Sequence, residues 1–481
     1  MTKAGTTRTA LLLAAAVAAA CALSFRPIYE PDLWWHLAQG RETAAGRLVH
    51  TNVFNAFYGS YPQPYTPWLF DLGAYAAWRI GGGGAVQLAQ AALLSLTLAL
   101  TFLACRQRAI VSATIAVILL GWFVVEPRAI PRPHLVSFAG IAACALAIER
   151  ARRSRSATPL VWMVPVVALW SNLHVECFLG VVFVTLFAAC ELIRASALSK
   201  REAFRALTIA GACALATMAN PYGWGLTRYL IENRHVPQLL NIAELRPAYL
   251  PNYRAFFVYA ALCAALLLWR ARTSALWEIV VAIVFAALGV QFLRFTPLIF
   301  LVTAPVLAER LAWLVSRGVD GRALVATVLA TGLVTARQPL TVFTRVEIGT
   351  RAVAPPQFFP AELGGIVRHA GLKGPVFNSM NLGGFLAWEL YPDVRIFQDG
   401  RLQAVPPDHF LSTLRASRSI EEWEALMQRS GIDWAVISLP RPNELSGAGH
   451  FREPAWLVVF EDDAVRIVVR RGSALDRTAR R

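Results

Sequence analysis

Long apolar runs alternate with short polar loops over the first 340 residues of the chain. Several runs reach the roughly 20 residues that a helix needs to cross a lipid bilayer. Helix is the expected element because lipid offers no hydrogen-bond partner to an exposed backbone group. The pattern predicts eleven membrane-spanning helices, near 8–25, 85–105, 109–125, 134–150, 158–171, 176–194, 204–219, 254–270, 274–290, 293–313 and 321–337.

The segment 66–80, TPWLFDLGAYAAWRI, does not fit this series. It is apolar enough to insert into a membrane, but it carries Asp71 and Arg79 and ends in the run Gly81 to Gly84. Counting it as a further span would place the basic loop that follows on the wrong side of the membrane. A re-entrant or interfacial helix is therefore predicted here.

Basic residues set the expected orientation of the spans. Because short cytoplasmic loops are enriched in Lys and Arg, we expect a cytoplasmic location for the loops 106–108, 149–157, 194–205 and 270–272. An odd number of spans then places the C-terminal part outside. On that side we expect one roof over a membrane cavity, built from the polar stretches 26–65, 126–133, 171–176 and 220–253.

The pattern changes after about residue 340. Prolines mark a linker, and short apolar strands then alternate with amphipathic helices, which is typical of a small α/β domain. Strands are predicted at GPVFN, VRIFQDG, DWAVISL, WLVVFED and AVRIVVRR, and helices at GGFLAWEL, HFLSTLRA and SIEEWEALMQR. The predicted domains are a transmembrane domain at 1–340 with its first external loop at 26–65, a linker at 341–355, an extracytoplasmic α/β domain at 356–475 and a tail at 476–481.

Composition supports a polytopic α-helical membrane protein. The 481 residues are 56% hydrophobic and 16% charged, with a mean hydropathy of +0.48, which excludes an ordinary soluble domain. The net charge of +16 comes from Arg residues clustered in loops, as expected for contact with anionic membrane lipids rather than nucleic acid. The seven cysteines lie in or beside apolar runs and are expected to be buried small hydrophobic residues.

The stretch EPDLWWHL contributes the first candidate site. Asp32 stands where an amphipathic helix begins, so it is either a helix N-cap or a functional acid beside Glu30. His36 is one helical turn beyond Asp32, and a carboxylate with a neighbouring imidazole can take a proton from a hydroxyl nucleophile. Trp34 and Trp35 are typical of a helix at a membrane interface.

Three further groups of polar residues are expected on the same side. Arg128 and Arg132 lie in a proline-rich turn and suit a phosphate or pyrophosphate, although simple contact with lipid headgroups is the alternative. His174 and Glu176 lie in a tight turn between two spans. They are candidate substrate- or phosphate-binding residues, and a turn whose polar groups simply face water is the alternative. Arg294 begins a span, where an Arg usually has an anionic partner, and it is a second phosphate candidate.

Two motifs in the C-terminal part have plainer interpretations. Gly383 and Gly384 could open a helix whose backbone N–H groups face an anion, but a simple turn and helix start is the stronger interpretation. Asp399, Gly400 and Arg401 are predicted to form a turn after a strand.

The ordered set of motifs resembles the GT-C class of integral membrane glycosyltransferases, and in particular bacterial members of unassigned substrate. The motifs are D-x-W-W-H-L at Asp32 to Leu37, N-x-H at Asn172 to His174, N-P-Y-G at Asn220 to Gly223, GG[FY]L at Gly383 to Leu386 and DGR at Asp399 to Arg401. The resemblance covers most of the chain.

The resemblance implies an activity. Enzymes of this class move a sugar, a hexose or a pentose, from a polyprenyl-phosphate carrier to a lipid, glycan or protein acceptor on the extracytoplasmic face. It implies Asp32 as the base, Glu30 as a second acid that could share a Mg or Mn ion with it, and a location in the bacterial inner membrane. The alternatives are a membrane transporter, disfavoured by the lack of an internal repeat, and a non-catalytic lipid- or glycan-binding scaffold.

Overall fold

Helices make up most of the structure, a computed structural model that describes residues 25, 27, 29–233, 242–335, 347–439 and 449–479. These residues fall into two compact units. The helical unit contains the described residues of Met1–Arg26, Gln87–Leu226 and Asn241–Val346. The mixed unit contains those of Pro27–Val86, Thr227–Leu240 and Glu347–Arg481. Apart from Phe25, the predicted span at 8–25 lies outside the described residues.

The helices of the described residues, in chain order, are α1 (Asp32–Ala44), α2 (Trp68–Cys105), α3 (Val111–Val125), α4 (His134–Ser154), α5 (Met163–Leu173), α6 (Cys177–Ile193), α7 (Lys200–Ala216), α8 (Gly225–Asn233), α9 (Arg254–Trp269), α10 (Leu276–Gln291), α11 (Leu298–Ser316), α12 (Gly321–Thr335), α13 (Thr350–Val353), α14 (Leu363–His369), α15 (Met380–Leu390), α16 (Pro407–Ala416), α17 (Ile420–Arg429) and α18 (Ala474–Ala479). Short 3-10 helices lie at Glu126–Arg128, Thr158–Trp162, Ala243–Leu245, Ala271–Thr273, Leu293–Phe295 and Leu402–Ala404.

The apolar helices lie where the sequence predicts membrane spans. Ten of these helices, α2 to α7 and α9 to α12, coincide with the ten predicted spans after the first. By length and composition, the stretches in the described residues that could cross a membrane unaided are Trp68–Cys105, Val111–Arg128, His134–Ser154 and Leu293–Ser316. Shorter apolar helices lie at Thr158–Leu173, Cys177–Ile193, Arg254–Trp269, Leu276–Gln291 and Gly321–Thr335. The prediction of a polytopic α-helical membrane protein is confirmed.

Helix α2 is interrupted by the glycine run. Gly81 and Gly82 leave the helical conformation, and Gly82 has a φ of 56°, a left-handed value that glycine adopts without steric cost. The predicted helix over 66–80 is therefore confirmed as a helical segment that begins at Trp68 and ends at this kink. Its position at a membrane interface stays a prediction.

The core of the helical unit lies around α11, which packs against α3, α4, α9 and α10. Every residue from Leu298 to Ala308 is buried, which is typical of a helix surrounded by other helices. The long apolar run in the sequence follows from this position, since no face of this segment meets solvent.

A buried ion cluster joins several helix ends of the helical unit. Arg108 pairs with Glu149 at 2.7 Å, with Glu278 at 2.5 Å and with Glu309 at 2.8 Å. Arg152 and Arg310 add the further pairs to Glu149 and Glu278. The charges balance at three cations and three carboxylates, as buried charges require. The basic loops at 106–108 and 149–157 therefore lie at one end of this unit, beside the start of α10.

The mixed unit is built on a five-stranded sheet. Its strands are β1 (Gly374–Asn378), β2 (Val394–Ile396), β3 (Trp434–Ser438), β4 (Trp456–Glu461) and β5 (Val465–Arg470), in the order β2-β1-β3-β5-β4. Strand β1 is parallel to β2 and β3, whereas β5 is antiparallel to β3 and β4. All five residues of β3 are buried, as expected for a central strand. The predicted strands and helices of the C-terminal part are confirmed.

The first loop extends this sheet. Ala56 donates its backbone N–H to the carbonyl of Ile396 at 2.9 Å, and Ile396 donates to Phe54 at 3.0 Å. Asn55 donates its side-chain amide to the carbonyl of Phe397 at 2.8 Å. The loop thus covers the outer edge of β2. Without the loop, the backbone N–H and C=O groups along this edge would be exposed and able to pair with another strand.

These contacts explain why the first loop belongs to the mixed unit. The sequence places the loop 26–65 with the transmembrane domain, whereas backbone and side-chain hydrogen bonds group it with the C-terminal part. The boundaries 1–340, 341–355, 356–475 and 476–481 otherwise stay a proposal.

Trp34 lies in an aromatic core. It is 1% exposed and packs edge-on against Phe385 and Trp78, with Phe359 at a ring distance of 5.3 Å. The prediction that Trp34 anchors a helix at the membrane interface is therefore wrong, because its ring is enclosed by the mixed unit. Trp35 is half-buried.

Gly383 and Gly384 allow neighbouring backbone atoms to pack closely against a helix. Gly383 and Gly384 lie inside α15, which begins at Met380, so they do not open the helix. A Cβ on Gly383 would overlap the carbonyl oxygen of Gln398, and one on Gly384 would lie 3.0 Å from the carbonyl oxygen of Pro31. Because interior helix N–H groups are already bonded, an anion-binding role of this pair is not supported.

We expect Gly383→Ala to lower the free energy of unfolding by about 1–3 kcal/mol, since the added methyl group meets backbone atoms that cannot rotate away. Thermal or SDS-induced unfolding of the purified protein in detergent measures this.

The matched control is Gly365→Ala in α14, where a Cβ has nothing within 4 Å. This change should be neutral or slightly stabilising. Equal destabilisation by both substitutions would contradict the close packing of α15.

Candidate functional site

Glu30, not Asp32, caps the first helix. The backbone N–H of Asp32 donates to Oε1 of Glu30 at 3.0 Å, and Asp32 itself is the first residue of α1, with Pro31 at the N-cap position. The alternative that Asp32 is the N-cap is therefore wrong, because the buried Glu30 carboxylate satisfies this helix end from two residues upstream. The Asp32 carboxylate is partly buried.

Asp32 lies against the DGR turn. A Cβ on Gly400 would be 2.8 Å from Oδ1 of Asp32, so the turn lies directly against this carboxylate. Two motifs almost 370 residues apart in the chain are thereby neighbours in the mixed unit. The sequence predicted each motif by itself but not their contact.

His36 and Asp71 form a buried pair. Nδ1 of His36 lies 2.6 Å from Oδ1 of Asp71, and the two residues are 2% and 0% exposed. With Asp71 ionised, Nδ1–H donates to it, and the bond sets the tautomer and the orientation of the ring. The predicted proximity of His36 to a carboxylate is thus observed, with Asp71 in that position.

A chain of hydrogen bonds connects this pair to the DGR turn. With its amide oriented to suit both neighbours, Gln39 donates to Oδ2 of Asp71 at 2.8 Å and accepts from Arg401 at 3.0 Å. Arg401 also donates to Oδ2 of Asp399 at 2.5 Å and to the side-chain oxygen of Asn52 at 2.9 Å. We call these residues, with His36, the loop network.

The ionisable side chains of the loop network are each hydrogen-bonded. Asp399 is paired with Arg401, and Asp71 is hydrogen-bonded to His36. Each is buried, and buried charges persist only when paired and hydrogen-bonded. The roles of Gln39 and Asn52 were not predicted from the sequence. A role for Asp71 could have been predicted, since an acid inside an apolar run usually has a specific partner.

A second cluster lies in the helical unit, around Glu244. Nη2 of Arg128 lies 2.7 Å from Oε2 of Glu244, and Arg132 donates to the same atom at 3.1 Å. The carbonyl of Arg128 lies 2.7 Å from Nε2 of His134. Burial alone would raise the pKa of Glu244, but the Arg128 and Arg132 guanidinium groups hold it well below its usual range. The two arginines are thus fixed side by side by one carboxylate.

His174 and Glu176 continue this cluster. Oε1 of Glu176 accepts two hydrogen bonds from Arg294, at 2.9 and 2.6 Å. Nδ1 of His174 lies 2.7 Å from Oγ of Ser137 and 3.4 Å from Oε2 of Glu176. Burial lowers the pKa of His174 to about 4, despite the nearby Glu176 carboxylate. His174 is therefore neutral at physiological pH.

The structure thus sorts the predicted site residues into two groups. Glu30, Asp32 and His36 belong to the mixed unit, and Arg128, Arg132, His174, Glu176 and Arg294 to the helical unit. Within the helical unit, the polar stretches 126–133 and 171–176 and residues 242–245 of 220–253 come together, as predicted. The N-x-H and N-P-Y-G motifs also meet there, because Asn172 donates to the carbonyl of Ala219 at 2.7 Å.

The predicted metal pair is an incomplete ligand set. One oxygen of Glu30 is occupied by the helix N–H, and the described residues hold no group of three His, Cys, Asp or Glu side chains that could bind a metal. Because Mg²⁺ is commonly held by one or two carboxylates together with water and substrate phosphates, a divalent ion at Glu30 and Asp32 stays a prediction.

The fold is that of the GT-C glycosyltransferases, a class of integral membrane enzymes. The solved structures that it resembles include the oligosaccharyltransferase AglB from Archaeoglobus fulgidus with an inhibitory peptide and a dolichol-phosphate, at a TM-score of 0.63 and 12% identity over 92% of this chain and 70% of that one. ArnT from Cupriavidus metallidurans bound to undecaprenyl phosphate matches at 0.53 and 15%, over 97% and 98%.

A third similar structure is the arabinofuranosyltransferase AftD from Mycobacteria, at a TM-score of 0.58 and 16% identity over 96% of this chain and 40% of that one. Another structure of the Archaeoglobus oligosaccharyltransferase contains Zn and sulfate, at 0.54 and 13%, over 89% and 68%. No family model and no curated protein sequence matches the chain. At these identities, the likeness is one of fold.

The low pKa of His174 predicts a pH dependence of stability. The unfolded chain takes up a proton at His174 near its ordinary pKa of 6.5, whereas the folded protein does so only near 4. Stability should therefore fall as the pH is lowered between these values, by up to about 3 kcal/mol from this residue. Unfolding midpoints measured from pH 7 to pH 4 test this.

The comparison variant is His174→Asn, which keeps a polar group near Ser137 but cannot take up a proton. Its midpoint should change less over the same pH range, because the acidic residues contribute equally to both proteins. Parallel pH profiles would contradict a buried neutral His174.

Proposed function

We propose that the chain is a membrane glycosyltransferase that moves a sugar from a polyprenyl-phosphate carrier to an acceptor on the extracytoplasmic face. The observation that carries the proposal is the Asp32 carboxylate, which lies at the start of a fixed helix beside Gly400, in a chain with the GT-C fold. AglB with dolichol-phosphate and ArnT with undecaprenyl phosphate support the choice of carrier.

Asp32 is the base in this proposal. Its carboxylate accepts the proton of an acceptor hydroxyl while that oxygen bonds to the anomeric carbon of the sugar. The bond from that carbon to the carrier phosphate breaks, and the phosphate leaves with the electron pair. The positive end of α1 stabilises a negative charge at this position, and Glu30 holds the helix start.

The loop network supports Asp32 by fixing its surroundings. Arg401 lies one residue after Gly400 and is locked by Asp399 and Asn52. His36 is held by Asp71. A base acts efficiently only when its position is fixed relative to the reacting atoms. We therefore assign His36, Asp71 and Arg401 as positioning residues.

The helical unit supplies the candidate phosphate contacts. Arg128, Arg132 and Arg294 gather around Glu244 and Glu176, beside a neutral His174. Guanidinium groups present paired donors that match phosphate oxygens. In this proposal, the carrier phosphate takes over hydrogen bonds that the two glutamates now accept.

The proposal also includes the subgroup within the class, the orientation in the membrane, the sugar and the acceptor. The protein is a D-x-W-W-H-L-type member of the class in a bacterial inner membrane, with the basic loops in the cytoplasm and the C-terminal part outside. The transferred sugar is a hexose or a pentose, and the acceptor is a lipid, a glycan or a protein.

We expect Asp32→Asn to reduce sugar transfer by at least about 100-fold, because the amide cannot accept the acceptor's proton. The measurement uses the full chain in liposomes, a panel of undecaprenyl-phosphate-linked hexoses and pentoses, and membrane lipid extract as the acceptor source.

The matched control is Asp393→Asn, an exposed aspartate of the mixed unit, which should leave transfer unchanged. Both variants should keep the wild-type unfolding midpoint. Normal transfer by Asp32→Asn would overturn its role as base, and the absence of turnover by the wild type with every donor would favour the non-catalytic scaffold.

A further inference from the structure

The helical unit contains a lateral groove beside α4. Its volume is about 550 Å³, within the roughly 300–1,000 Å³ that is typical of small-molecule sites. The floor is apolar and formed by the buried side chains of Leu146, Ala147 and Met163. One wall is the 3-10 helix Thr158–Trp162. The groove belongs to neither of the polar clusters described above.

The mouth of the groove is polar and cationic. It carries Arg150, Ser154 and Thr158. The Arg150 guanidinium is exposed and makes no hydrogen bond or ion pair with any residue that the structure describes. Arg205 donates to the hydroxyl of Thr158 at 3.2 Å. Glu202 accepts hydrogen bonds from the backbone N–H of Ala157 and the hydroxyl of Ser156, which flank this wall.

The charged side chains lie at one end of the groove and the apolar side chains at the other. The cationic mouth lies where α4 ends in the basic loop 149–157, and the apolar floor extends back along the helix. Trp162, at the wall, is 75% exposed, which suits a ring at the boundary between lipid tails and headgroups. A molecule that fits must have an anionic head and an apolar chain.

We propose that this groove binds an anionic phospholipid of the surrounding membrane. Its phosphate would meet Arg150 and the hydroxyl groups of Ser154 and Thr158, and one acyl chain would lie over Leu146 and Met163. Charge selects the headgroup, because a basic recess next to a bilayer attracts anionic lipids. A phosphate also forms charge-assisted hydrogen bonds with a guanidinium group. The groove is a lipid site separate from the proposed reaction.

Native mass spectrometry of the full chain in detergent tests this proposal without any activity measurement. The probes are phosphatidylglycerol and phosphatidylcholine with identical acyl chains. The wild type should retain phosphatidylglycerol at least about 5-fold better. Arg150→Ala should remove most of that preference, and Leu146→Trp, which fills the floor, should weaken binding of both lipids.

The matched control is Arg272→Ala, which removes an exposed arginine from another basic loop and should leave the preference unchanged. Only variants whose unfolding midpoint equals that of the wild type are compared. Equal retention of the two lipids by the wild type, or equal losses in Arg150→Ala and Arg272→Ala, would overturn the proposal. Stronger retention of undecaprenyl phosphate that depends on Arg150 would overturn the phospholipid assignment.

Discussion

The mixed unit depends on the buried hydrogen bonds that run from Asp71 through Gln39 to Arg401. These side chains come from α2, from α1 and from the DGR turn, and Asn52 adds the first loop. Breaking one partner of a buried ion pair typically costs about 3–5 kcal/mol, because the other charge is left uncompensated. The network therefore fixes the register of three distant chain segments. The aromatic packing of Trp34 against Phe385 and the sheet pairing of the loop join the same parts of the chain.

The candidate site follows from that constraint. Once Arg401 is locked, Gly400 lies against Asp32, and Glu30 caps the helix that carries it. The C-terminal part is thus a structural component of the first-loop site rather than an appended domain. In the helical unit, Glu244 in the same way holds Arg128 and Arg132 side by side.

Much of the architecture could be predicted from the sequence, because periodicity and hydropathy are local. The helices after the first predicted span and the strands of the sheet follow directly from their residue patterns. The roles of Trp34 and Gly383 could not be predicted, since an aromatic ring and a glycine have the same local appearance at a membrane interface or in a packed core. Asp71 and Gln39 acquire their roles only from Arg401, more than 300 residues away, and a single sequence carries no record of that contact.

A double-mutant cycle between Asp71 and Arg401 tests the loop network most directly. The free energy of SDS-induced unfolding is measured for the wild type, Asp71→Asn, Arg401→Gln and the double variant in the same detergent. We predict that the double variant loses at least about 1 kcal/mol less than the sum of the single losses, because the two side chains act through one hydrogen-bonded network. Losses that add within about 0.5 kcal/mol would contradict the network as the constraint that joins the first loop to the C-terminal part.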